Sequence, residues 1–285
     1  MATTSMVPVA AGRRALPGSA GRASFAGTLR SEFTKIRSVR STYWTLLATL
    51  VVVIGMGAVF TYGEAHNFSQ LPAAFQAHQR AQEIAQATER SLFGLILGQL
   101  IIAALGALTI TSEYSTGMIR TSLSVLPRRG TVFAAKALVF GVIALAVGLV
   151  SSFASYFVGQ AILSSQHINS TLGQPGVLRA VIGGGLFLAV CGLLSFGLGA
   201  LIRHTAGAIT ASFGLLFVLG ILAGFLPTNW AVHVDKWVPL NAGGAIWEKV
   251  TGVHPFSPWT GFAVFCGYAA LAIAAGLFRF RNRDA

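Results

Sequence analysis

The sequence predicts an all-α, polytopic membrane fold: six transmembrane helices, an interfacial helix before the first span and a short helix on the cytoplasmic face. Three observations lead there. Of 285 residues, 54% are hydrophobic and only 10% are charged, against ~25% charged in an average soluble chain. The charges cluster between long uncharged runs, each near the roughly 20 apolar residues that a bilayer core demands. The basic residues, finally, collect in alternate gaps between those runs, as the positive-inside rule requires.

Residues 1–24 are rich in Ala, Gly, Ser and Pro with scattered Arg and no apolar period, which predicts a disordered tail. From Phe25 a helical period appears, with Phe25, Leu29, Phe33, Ile36, Val39 and Tyr43 on one arc and Arg30, Lys35 and Arg37 off it. Residues 25–42 are therefore expected to form an interfacial helix that runs into the six-span domain, residues 43–285. Glu32 falls inside the apolar arc. Either it pairs with Lys35 three residues on, worth a few tenths of a kcal/mol, or it meets a partner protein.

The expected spans are Tyr43–Tyr62, Leu92–Ile110, Ala137–Leu163, Ala180–Ile202, Thr205–Leu226 and Trp259–Phe278. The first begins too late and is too long for a secretory signal, whose apolar region is ~7–15 residues, so it is expected to stay in the mature chain. Between the first two spans, Phe75–Arg90 is polar and helix-favouring, and predicts a short solvated helix. Trp230, Trp237, Trp247 and Trp259 gather near one interface, as an aromatic belt or as part of a substrate gate. Gly94 with Gly98, Gly220 with Gly224, and the Cys191, Ser195, Gly199 stripe allow close helix approach within the chain or across a dimer face. Cys191 and Cys266, both inside spans, read as small packing residues.

The net charge of +12 raises the question of nucleic acid. Placement answers it: 15 of the 20 basic residues lie on the side that holds both chain ends, and only 5 on the other. That bias orients both termini toward the cytoplasm, and basic groups beside span ends are attracted to anionic lipid without any nucleic acid. Arg128, Arg129 and Lys136 read as membrane anchors on this side, Lys136 by snorkelling, and Trp230 and Trp237 anchor the other.

No acidic or basic residue sits near a span centre, which disfavours an ion-coupled secondary transporter. The histidines fall in loops or at span ends, giving no haem-ligand or metal pattern. No GxxxxGK[ST] stretch occurs, so an ATP-driven process would need another chain. Attention then moves to the loop between the second and third spans. Glu113 ends the second span, Gly117 permits a sharp change of direction, Met118–Val125 can form two helical turns, and Pro127 stops them ahead of Arg128 and Arg129. Met118, Ile119 and Leu123 give this short helix an apolar side, and Glu113 is expected to pair with Arg120 or with a partner's basic group.

In two places the chain resembles the type-2 ATP-binding-cassette (ABC) permeases, in particular the six-span subunits of bacterial exporters. The first is Ser31–Trp44, similar to that family's segment before the first span. The second is Glu113–Arg120 with Leu126–Arg129 and Lys136. The resemblance spans roughly residues 25–285 and implies a multi-pass permease of the plasma membrane. It also implies a connecting helix at Phe25–Val39 and a coupling helix at Ser112–Leu126, whose Glu113, Gly117, Met118, Ile119, Arg120 and Leu123 would engage a separate ABC ATP-binding subunit. Two permease chains, identical or not, would form the export pathway in contact with membrane lipids; ATP and Mg would belong to the partner. No catalytic residue, metal or cofactor is expected in this chain. A membrane scaffold or sensor that moves no substrate would use the same loops.

Overall fold

The computed structural model describes residues 25–115, 129–227, 230, 233–248 and 256–282. Helix α1 (Phe25–Ser38) stops where Val39 turns to extended backbone (φ −90°, ψ 109°), and α2 (Arg40–Gln70) starts directly after it. Then come α3 (Ala73–Ser91), α4 (Leu95–Ser115), α5 (Arg129–Ser164) and α6 (Val177–Ile202). The chain continues through α7 (Thr205–Ala223), a single 3-10 turn at Asp235–Trp237, α8 (Pro239–Gly244) and α9 (Pro258–Asn282). Six helical stretches are long and apolar enough to cross a membrane. Residues 1–24, expected to be disordered, lie outside the described residues, as do Gly117, Met118, Ile119, Arg120, Leu123 and Arg128.

The six expected spans coincide with α2, α4, α5, α6, α7 and α9, but two of these helices are longer than a bilayer core requires. At ~1.5 Å per residue, the 36 residues of α5 are about 54 Å long, well beyond the ~30 Å hydrocarbon core. Helix α2 likewise runs on to Gln70, so the loop before α3 shrinks to Leu71 and Pro72. The helix expected at Phe75–Arg90 is thus one arm of a hairpin with the end of α2. Arg90 clamps it through Glu64 at 3.1 Å and through Glu83.

Helix α6 is the hub. It packs on α4, α5 and α9, and two thirds of its apolar stretch is buried, whereas most of α2 and α7 is not. Phe140, Phe187, Phe196 and Phe265 fill the layers around it. Small residues permit the close approaches: a Cβ on Gly94 would collide with the Val53 carbonyl of α2, and one on Gly98 with the Val53 side chain. The stripe on α6 also works within the chain, since Ser195 Oγ meets Ser212 Oγ of α7 at 2.6 Å and Gly199 lies against Ile110 of α4. Between α6 and α7 the chain turns through Arg203, held at positive φ (64°), and His204, whose Nδ1 accepts from the Gly207 N–H. Midway, α7 widens into a π-helical turn at Gly214–Val218.

Candidate functional site

Two lysines and two glutamates from three helices meet at the end of the bundle where α1 lies. Lys136 Nζ donates to Glu32 Oε2 and to Glu113 Oε1, both at 2.6 Å. Lys35 Nζ donates to Glu32 Oε1 at 2.6 Å and stands 3.6 Å from Glu113 Oε1. Glu32 is 1% exposed, Lys136 3% and Glu113 8%. Lone charges would not stay ionised at such burial; two acids and two amines balance, and each carboxylate is bridged by both lysines.

Local structure explains how the sequence builds this. Thr28 and Glu32, one turn apart, are the buried residues of α1, while Phe25, Phe33 and Val39 remain about half exposed. Part of the apolar arc thus stays exposed although Ile36 packs against the core, and the side of α1 that carries Thr28 and Glu32 turns in toward α5. Glu32 does pair with Lys35, but its second oxygen is taken by Lys136 of α5. Lys136 does not snorkel. Its neighbours Phe133 and Phe140 point into the core, so the lysine follows the buried face of α5 and finds carboxylates there. Glu113 likewise meets Lys136 and Lys35 among the described residues, whereas Arg120, its expected partner, lies outside them.

The electrostatics follow from the geometry. Burial opposes the charge on Glu32, but Lys136 and then Lys35 outweigh it, and the carboxyl is held below its ordinary range. Burial likewise works against the Lys35 ammonium, yet its bonds to Glu32 and Glu113 raise it above the usual lysine range.

The position matters as much as the charge. Glu113 lies two residues before the last described residue ahead of segment 116–128, and Lys136 lies in the second turn of the helix that follows it. Their contact ties the two roots of that segment together and fastens both to α1. Further braces surround the knot. The Arg203 guanidinium stacks over Tyr114 at 5.1 Å and donates to the Arg279 carbonyl at 2.9 Å, Thr205 donates to Thr111 at 3.0 Å, and Arg281 lies over Gly130. A cleft of about 240 Å³ opens beside the tetrad, with Lys35, Thr42, Leu105, Ser112, Glu113 and Lys136 in its wall.

Of the remaining expected site residues, Arg37 is exposed on α1, and Arg129 opens α5. Trp230 and Trp237 are 67% and 50% exposed; Trp237 packs edge-on against Phe256 and accepts from the Tyr268 hydroxyl through its carbonyl. No group of His, Cys, Asp and Glu able to hold a metal ion occurs among the described residues. The reach of Lys136 to Glu32 and Glu113 was missed in the sequence. A signal existed: of the 15 basic residues on that side only Lys35 and Lys136 are lysines, and Glu32 and Glu113 are its acids outside the C-terminal Asp284.

Six apolar helices, with a neutralised charge knot that joins α1, α4 and α5, define a polytopic membrane protein. The chain belongs to the family described as ABC-2 family transporter protein, which matches residues 29–285. It is thus a permease subunit of an ABC transporter. Comparison with curated proteins gives no match.

Proposed function

We propose that this permease works as one of two membrane chains in a plasma-membrane exporter, with both termini cytoplasmic, driven by a separate ATPase that docks on segment 112–126. The bridge from Lys136 to Glu32 and Glu113 carries this reading. A push on a loop attached only by flexible chain would be absorbed locally. Here the roots of the loop are bonded to each other and to α1, so displacement reaches α1, α4 and α5 together. The cleft beside the tetrad leaves room for that shift. ATP and Mg act in the partner, whose closure would move the two permeases between inward- and outward-facing states.

In this proposal Met118, Ile119 and Leu123 fill an apolar pocket on the ATPase, and Gly117 and Arg120 set the direction of the loop. Burying two or three such side chains contributes several kcal/mol, at ~1.5–3 each. Ile119→Asp should therefore abolish ATPase co-purification while leaving membrane insertion and permease abundance unchanged. Undiminished co-purification of a well-expressed Ile119→Asp variant would remove the dock from this segment.

A further inference from the structure

We propose that the groove between α1, α2 and α5 is a binding site for an anionic phospholipid, with an acyl chain in the groove and the phosphate on Arg37. The groove holds about 410 Å³ and is lined by Phe33, Ile36 and Arg37 of α1, Thr42, Tyr43 and Leu46 of α2, and Ile143 of α5. That volume falls within the ~300–1,000 Å³ of ligand clefts. Its shape comes from the break at Val39. A continuous helix would carry Phe33 and Leu46 along one rod, whereas the extended Val39 sets the two helices at an angle and leaves a hollow between their faces.

Two features select the occupant. Thr42, Tyr43, Leu46 and Ile143 belong to the bilayer-crossing helices, so whatever fills the hollow comes from the bilayer rather than from water. The mouth, in turn, is positive: Arg37 lines it, and no carboxylate pairs with Arg37 among the described residues. The one acid of α1, Glu32, is turned inward and neutralised. An apolar slot capped by a guanidinium that no carboxylate among the described residues holds matches an acyl chain ending in a phosphate, which guanidinium binds through two parallel N–H bonds. A zwitterionic headgroup offers the same phosphate but places its own cation beside Arg37. The lipid would wedge between α1 and the first span, beside the tetrad. This inference rests on the groove alone and stands apart from the coupling reading.

Native mass spectrometry of the full-length permease, delipidated and then exposed to phosphatidylglycerol or phosphatidylcholine, tests it. The wild type should retain phosphatidylglycerol about fivefold over phosphatidylcholine, the effect of one basic group at ~1 kcal/mol. Arg37→Gln should erase that preference, and Arg30→Gln, on the same helix but outside the groove, should keep it. Ile143→Trp, which fills the hollow from α5, should lose both lipids while its unfolding temperature stays near that of the wild type. If Ile143→Trp fails to fold, Arg37→Gln against Arg30→Gln still decides. Equal retention of the two lipids by the wild type, or equal behaviour of the two arginine variants, would overturn the proposal. So would lipid retention that appears only after residues 1–24 are removed, which would give the groove to the tail.

Discussion

The two ends of the bundle solve the problem of buried polarity in different ways. At one end Lys136 bridges Glu32 and Glu113, and Lys35 completes a tetrad of two acids and two amines. At the other, neutral groups from α3, α5 and the link before α6 form a network of hydroxyls and one amide. Gln160 Nε2 donates to Ala87 O at 3.1 Å and to Ser91 Oγ at 2.9 Å, while its Oε1 accepts from Ser170 N at 2.5 Å. Ser170 also meets Thr88 Oγ1 at 2.9 Å and accepts from the Tyr156 hydroxyl at 3.0 Å. This network has a structural cause. The helix breaks after Ser91, Leu95 N turns to the Leu92 carbonyl, and the freed Ser91 carbonyl accepts from Ser155 Oγ at 2.5 Å. Within a membrane such a break persists only where side chains satisfy the released backbone. The neutral network repairs a helix; the charged one joins helices that a repair would not need to join.

That contrast makes the two ends respond differently to substitution. Lys136→Met should have the largest effect. It leaves Glu32 and Glu113 buried with only Lys35 between them, and removing one member of a buried ion pair costs about 3–5 kcal/mol; the unfolding midpoint and the yield of folded protein should both fall sharply. Gln160→Leu should be milder, at ~1–3 kcal/mol for stranded polar groups, and should leave stimulation of the ATPase per folded molecule at the wild-type level. A loss of stimulation there would erase the distinction between the ends. Ser155→Ala should cost less again, about 1 kcal/mol, read as a small drop in midpoint. The smallest expected effect is that of pH. The stabilisation from Glu32, whose folded pKa is depressed, is complete above the carboxylate range and is lost only as pH falls through its folded value. Lys35 is raised, so its share is lost only as pH rises through a value above the lysine range. The difference in midpoint between wild type and Glu32→Gln should therefore stay constant from about pH 6 to 8; a trend there would mean that the tetrad titrates near neutrality.

Much of the fold was legible because bilayer physics writes itself in single residues: a missing charge over 20 positions has few explanations, and α2, α4, α5, α6, α7 and α9 sit on the runs it marks. Helix ends were harder. The extension of α2 to Gln70 is held by a partner distant in sequence, Arg90 with Glu64. Of the site, the i,i+3 pairing of Glu32 with Lys35 could be read because it is local. The Lys136 bridges to Glu32, 104 residues away, and to Glu113, 23 away, could not. A lysine near a span end fits snorkelling as well as burial until the carboxylate facing it is known. The inward turn of the Thr28 and Glu32 side of α1 was hidden for a similar reason: periodicity gives a face but not the neighbour it meets.

The central claim is that the tetrad transmits work rather than only holding helices together, and the double variant Glu113→Gln/Lys136→Gln separates the two roles. It removes one acid and one base together and keeps the Glu32–Lys35 pair, so the charge balance survives and the protein should fold and bind the ATPase nearly as the wild type does. Stimulation of the ATPase by the reconstituted permease is the measurement. The account predicts that the double variant, at wild-type abundance and ATPase binding, loses most of that stimulation, whereas wild-type stimulation from it would show that the tetrad is packing alone.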